Sequence, residues 1–291
     1  MADAVSSSAL NESIVVYVSE TGSKTYENAS GSEYTSRYIK GVKPDGSEIE
    51  YTISQSWVEA GDLLEIRFDS DGKMSIGRPS PGGGVYGTAD AELQTIGTAS
   101  IAVNATILDT NLGNYTATSM QRLDGVKIKS DDVLYYEASG GRVTTLILHD
   151  VTGDTSKYGV LTSAKSGESS GSYTYLIEGV SDTLTTANGT LGVQAGPAKF
   201  YGESGTISNI KNLSKTGTKV KTFASSQLTV EDKIGGYPVS ADVAVYTKAS
   251  GSYEISKLND ALEAFRSDKK QVSFYYDKEP EQGGCIRVIV Y

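Results

Sequence analysis

The chain has 291 residues, with charged residues at 21%, hydrophobic residues at 38% and a formal net charge of −10. It is long enough to bury one large core or two ordinary ones without disulfides or metals, and it is not disordered in composition. The acidic balance and the lack of a Lys/Arg cluster exclude the basic stripe that a phosphate-binding surface carries, so neither nucleic acid nor anionic lipid is an expected partner.

In chain order, Met1 to Ser13 contains no basic stretch followed by an apolar run, so no signal peptide is read there, and no segment reaches the roughly 20 apolar residues of a membrane span. The expectation is a piece of a longer exported chain without direct membrane insertion. Ile14–Val18 opens the first strand. Tyr38-Ile39-Lys40 and Ile49–Ile53 flank Asp45-Gly46 as a hairpin, and Asp62–Phe68 and Met74–Ile76 flank Asp71-Gly72 as another, since Asp-Gly tolerates positive φ. Further strands are expected at Asp131–Ala138, Thr145–His149, Gly159–Leu161, Tyr173–Ile177, Asp242–Ala249 and Ile286–Tyr291. One short helix is predicted near 256–266, where Leu258, Ala261, Leu262 and Phe265 fall at i, i+3, i+4 and i+7.

Three internal correspondences suggest a duplication. Val58-Glu59-Ala60-Gly61 matches Val193-Gln194-Ala195-Gly196 at an offset of 135, and Asp131–Gly140 matches Asp242–Gly251 at 111. The hairpin Tyr38–Ile53 matches Gly159–Ile177. Unequal offsets imply insertions, taken to be Pro79–Gly87 in one half and the 256–266 helix in the other. The fold class expected is all-β: two related units of small antiparallel β-barrels or sandwiches in tandem. The first spans 14–155 and the second, its diverged duplicate, 156–291, with the break between Gly153 and Tyr158. Nothing alternates strands with helices, which argues against a parallel α/β sheet.

The chemical motifs read as structural. Gly82–Gly87 fits G-x-G-x-x-G, with Asp109 about twenty residues on, but prolines separate it from the preceding strand and no full helix follows. Aligning Asp69–Gly72 with a calcium loop puts Arg67 and Arg78 at ligand positions. His149 is the one histidine and Asp150, adjacent on a strand, points away from it; one His and one distant Cys285 are too few for zinc. Cys285 follows Gly283-Gly284 in a turn and reads as a buried thiol despite nearby Arg287. Tyr135-Tyr136, Tyr173/Tyr175 and Phe274-Tyr275-Tyr276 read mostly as strand packing, with a glycan-binding face as the functional alternative. Six Asn-x-Ser/Thr sites, such as Asn28-Ala29-Ser30, reflect composition. No catalytic, cofactor or metal residue is assigned, and no cofactor is expected.

Thr145–Asp154, Tyr158–Ser163, the Asp-Val-x-x-Tyr strands and the ending Ile286–Tyr291 resemble the β-rich region of large Gram-positive surface proteins that carry S-layer homology repeats. The resemblance implies export, wall anchoring through repeats outside this segment, and a structural or adhesive role. The expectation is a non-catalytic spacer module at the bacterial cell surface, whose partners would be cell-wall glycan or other surface proteins. A glycan- or protein-binding adhesive module and a phage or virion structural protein are the alternatives.

Overall fold

The computed structural model describes residues 13–28, 30–80, 83–167, 169–187, 189–202, 206–216, 219–231, 233–267 and 271–291. The fold is all-β, at 59% strand, and includes a partial barrel. The chain divides into two compact units between Val151 and Thr152, where the sequence places the break at 155/156.

In unit 1, β1 (Ser13–Glu27), β2 (Glu33–Val42), β3 (Glu48–Ile53), β4 (Leu63–Phe68) and β5 (Met74–Gly77) form an antiparallel sheet ordered β3-β2-β1-β4-β5. The turn between β4 and β5 is held as Asp-Gly predicts: Gly72 has φ 75°, and Asp69 Oδ1 accepts from the amides of Asp71 and Lys73. A second sheet joins β6 (Gly87–Asp90), β7 (Thr95–Ile96), β8 (Ala99–Asn111), β9 (Asn114–Thr118), β10 (Lys127–Ile128), β11 (Val133–Ser139) and β12 (Arg142–His149), with the helical turn α1 (Met120–Leu123) after β9.

Unit 2 repeats this order except for one short strand at the edge of its larger sheet. Its five-stranded sheet is β13 (Lys157–Ser166), β14 (Gly171–Ile177), β15 (Val180–Thr186), β16 (Gly196–Tyr201) and β17 (Asn209–Asn212), ordered β15-β14-β13-β16-β17. Its seven-stranded sheet holds β18 (Ser214–Lys215), β19 (Val220–Phe223), β20 (Gln227–Val230), β21 (Lys233–Ala249), β22 (Ser252–Ser256), β23 (Ser273–Tyr276) and β24 (Ile286–Val290). The helix α2 is Leu258–Ser267, and buries Ala261, Leu262 and Ala264.

The sheets are antiparallel as expected but for one parallel pair in each unit. β12 pairs with β8, and β24 with β21, in parallel. Parallel neighbours need a crossover, and the α1 and α2 segments lie on those crossovers. The sequence sign is an unbroken apolar run: Leu146, Ile147 and Leu148 are all buried, as is every residue of β24.

Register shows which residues correspond. The parallel pairing skips from Val143↔Ile101 to Thr145↔Thr106 in unit 1, and from Ile286↔Val239 to Val288↔Ala244 in unit 2, the same irregularity in both. The β1–β2 shift between Val18 and Glu20 recurs between Leu161 and Ser163, and the β11 shift at Glu137/Ala138 recurs at Tyr275/Tyr276. The hairpin pairs Ile107↔Thr118 and Asn111↔Asn114 reappear as Val245↔Ser256 and Ala249↔Ser252, 138 residues on.

These registers correct two of the sequence correspondences. Asp242–Gly251 aligns with 104–113, not with Asp131–Gly140, because β21 occupies the place of β8. The Tyr38–Ile53 hairpin (β2–β3) corresponds to β14–β15, one strand later than expected. Nor is the helix an insertion. From Thr118 to Ala138 and from Ser256 to Tyr276 the chain has equal length, so α2 replaces a helical turn and β10. Pro79–Gly87 is likewise matched in length between Gly77↔Glu65, Ala89↔Ile96 and their counterparts Lys211↔Lys199, Phe223↔Leu228; Pro81 and Gly82 lie outside the described residues.

Within each unit a small cluster fills the seam between sheets. In unit 1 it holds Tyr17, Val42 and Leu108; in unit 2, Val160, Tyr246, Val288 and Val290, with Leu176 packed against them. Tyr17 and Leu108 correspond to Val160 and Tyr246, so one tyrosine spans each seam, from the five-stranded side in unit 1 and from the seven-stranded side in unit 2. We expect Tyr17→Val to destabilise unit 1 by about 2–4 kcal/mol, and Leu108→Tyr in the same chain to restore part of that loss. Urea melts of the single and double variants check this; purely additive losses would show that the seam is not filled as a shared volume.

Candidate functional site

Two side-chain constellations stand apart from ordinary packing, one per unit. In unit 2, nine residues (277–285) separate Tyr276 from Ile286, where unit 1 has four (139–142) between Ala138 and Val143. The longer connection includes a 3-10 turn, Pro280–Gln282, which ends at Gly283 with φ 84°. Gly284 is tucked so closely that a Cβ would lie 1.8 Å from the Lys278 carbonyl.

This connection carries Asp277 against Arg287. Asp277 Oδ1 accepts from the amides of Lys278 and Cys285, both at 3.1 Å. Its Oδ2 accepts from Arg287 Nε at 3.1 Å and from the Tyr158 hydroxyl at 2.8 Å. Arg287 Nη1 reaches Asp154 Oδ1 at 2.7 Å and Ser240 Oγ at 3.1 Å, and Nη2 donates to the Thr152 carbonyl at 2.5 Å. The guanidinium also lies 4.6 Å from the Tyr158 ring centroid. The Arg287 and Asp277 side chains are 3% and 2% exposed, so the pair is dry.

Burial is the largest influence on Arg287 and disfavours its charge, but Asp277 together with smaller contributions from neighbours such as Asp154 outweighs it, and the guanidinium is held more firmly protonated than usual. Burial, with Asp277 adding to it, pushes the Tyr158 phenol far up, so it stays protonated and donates to Asp277. Each guanidinium nitrogen has a protein partner. The constellation ties the chain near 152–158, β21 and the β23–β24 connection together. The position in unit 1 equivalent to Arg287 is Thr144, so the tie is peculiar to unit 2.

The second constellation lies on the solvent face of the unit 1 five-stranded sheet. The β13–β14 ladder ends at Ser166↔Gly171, whereas the β1–β2 ladder continues through Lys24↔Ser36, Thr25↔Thr35, Tyr26↔Tyr34 and Glu27↔Glu33. Strand alternation puts Glu20, Lys24, Tyr26, Tyr34, Tyr38, Lys40 and Glu50 on one face. Tyr26 and Tyr34 stack, with ring centroids 5.7 Å apart and planes at 26°. Tyr38 lies flat over Gly22, where a Cβ would meet its ring at 2.7 Å. Lys24 Nζ stands 4.5 Å from the centre of that ring and 2.5 Å from Glu50; Lys40 bonds Glu20 at 3.0 Å. The Tyr38 hydroxyl donates to Glu20, which holds the phenol above its usual range and, with Lys40, holds Glu20 below the usual carboxylate range.

The residues singled out in the sequence fall elsewhere. Tyr173 and Tyr175 are buried in the unit 2 core, Tyr136 packs against the unit 1 core, and Tyr276 packs on Tyr237 at 4.8 Å. His149 is exposed at the end of β12, with Asp150 turned into positive φ. Cys285 is buried. Asp109 is fully buried and accepts from the Val151 amide, and the strand β6 follows the glycines near 83–87. Asn28 caps its own turn, accepting from Ser30 and Ser32; Ala29 lies outside the described residues. Among the described residues no group of three His, Cys, Asp or Glu side chains could hold a metal, and no helix is long and apolar enough to cross a membrane.

The sequence reading missed both constellations. A lone Arg in an apolar terminal strand, Ile286-Arg287-Val288, marks a buried charge that needs a partner, and this signal was available. The tyrosine face could be found only by knowing which strands extend past their neighbours. No protein-family model matches the chain, and no curated protein is similar enough to count as a relative.

Asp277→Asn removes the counter-charge of a dry guanidinium, and we expect a loss of about 3–5 kcal/mol in unit 2. Cys285 reports it. The thiol is expected to resist an aromatic disulfide reagent in the native protein and to react when urea opens unit 2, at a lower urea midpoint in the variant. Fast labelling of the native wild type would contradict the sealed geometry.

Proposed function

We propose that the chain is a non-catalytic structural module of a bacterial cell-surface protein, serving as scaffold or spacer. The observation that carries this reading is the repetition of one topology in two units, down to matching strand irregularities, with the most elaborate charged constellation closed on itself. A tie such as Arg287–Asp277 holds chain segments together and presents no open reactive group. The acidic surface suits a protein that stays soluble among anionic neighbours. The resemblance of Thr145–Asp154 and Ile286–Tyr291 to surface proteins with S-layer homology repeats supports the location.

An antibody raised against residues 13–291 tests it on fractionated cells. The expected outcome is recovery with the wall or surface fraction. Recovery only from the cytosol would sink the proposal, and recovery from purified virions would transfer the structural role to a phage particle.

A further inference from the structure

The tyrosine face of unit 1 has no use in a pure spacer. Glu20, Tyr38, Lys40 and Glu50 correspond to Ser163, Ser172, Thr174 and Thr183 of unit 2, where Thr174 and Thr183 bond each other at 3.1 Å; Lys24, Tyr26 and Tyr34 lie beyond the length of the β13–β14 ladder and have no counterpart. The unit 2 face, which carries Lys165 opposite Ser172, thus has no aromatic ring at these equivalent positions. Tyr34 is 50% exposed even with its cross-strand partner stacked on it, and Lys24 and Glu50 are also exposed.

We infer that this face binds a neutral polysaccharide. Two features select that ligand class. First, the half-exposed ring of Tyr34, stacked on Tyr26, offers a π-face to the polarised C–H bonds of a pyranose ring. Second, the charges of the face cancel in pairs, Lys24 with Glu50 and Lys40 with Glu20. Such a face has donors and acceptors for sugar hydroxyls but no excess positive charge for a polyanion, which the net charge of −10 would also repel. From Glu20 to Tyr26 the platform runs about 20 Å along β1, long enough for an oligosaccharide rather than a single sugar. A sheet face also suits an extended chain better than a small molecule, which needs a concave pocket.

The inference does not depend on where the protein resides, since purified chain suffices to test it. Affinity electrophoresis would use native gels containing dextran, hydroxyethyl cellulose or galactomannan, beside gels containing polygalacturonate or poly(glycerol phosphate). The expected result is retardation in at least one neutral gel and none in the anionic gels. Tyr34→Ala and Tyr26→Ala should weaken the apparent affinity at least tenfold, and Tyr34→Phe should keep most of it. Tyr86→Ala, at another exposed tyrosine (60%), should have no effect. Circular dichroism and Trp57 emission would confirm folding. Should an alanine variant unfold, Lys24→Gln removes part of the polar rim while leaving the ring stack, and it should weaken binding severalfold. Free migration in every neutral gel, retardation only by the anionic polymers, or equal loss with Tyr86→Ala would each overturn the inference.

Discussion

Each unit depends on filling the seam where the central strand of its five-stranded sheet meets its seven-stranded sheet. One tyrosine performs this in both units, but the phenol oxygen cannot be buried without a partner. Tyr17 finds its partner at the tip of the β8–β9 hairpin, where the Gly113 amide donates to its hydroxyl at 3.0 Å. Burial raises that phenol to about 12, so it remains protonated. Because the partner sits on the tip, the tip must dock. A Cβ on Gly113 would lie 2.7 Å from the Ser19 carbonyl, and Leu112 and Gly113 both take positive φ to make the turn. Tyr246 approaches from the other sheet and donates instead to the Leu176 carbonyl. The corresponding tip, Ser250-Gly251, has the same φ signs, yet a Cβ on Gly251 would touch nothing within 4 Å. The hydrogen-bond need of one buried hydroxyl thus decides whether a distant hairpin tip is packed or open.

The same reasoning shows what could be seen in the sequence. Strand content, the Asp71-Gly72 hairpin and the helix at Leu258–Ser267 were legible because each has a local cause: alternation, turn chemistry or 3.6-residue periodicity. Two-unit organisation was anticipated, yet two of the three correspondences offered for it matched the wrong strands. Asp131–Gly140 and Asp242–Gly251 share Ala-Ser-Gly because both end a strand in a tight turn, and a period of two lets almost any strand match another. True correspondence lies in pairing partners and in the irregularities of the parallel ladder, which no local pattern encodes. The parallel pairs themselves had a sign, the unbroken runs at Leu146–Leu148 and Ile286–Val290, which mean burial on both faces. The tyrosine face had none. Whether Tyr26 or Tyr173 is exposed depends on which strands outrun their neighbours.

The two units also differ in where their extra residues went. Unit 1 has the longer β1–β2 arm, and with it gained an outward-facing set of rings and paired charges. Unit 2 has the longer β23–β24 connection, and with it gained an inward-facing ion pair. Neither extension disturbs the shared frame, since both sit at hairpin or loop ends where added chain costs little closure entropy. The inward extension is demanding, because a dry Arg287 is tolerable only with Asp277 and the surrounding acceptors in place, and Gly284 must be a glycine for the chain to fold back on Lys278. The outward one is permissive: its ion pairs are screened by water and contribute little to stability. A surface feature that adds little stability, and whose stacked rings have no counterpart in the sister unit, is better explained by what it touches outside the unit than by what it holds together within it. That asymmetry separates the tie at Arg287, whose atoms are all engaged, from the rings of Tyr26 and Tyr34, which leave half of Tyr34 facing solvent.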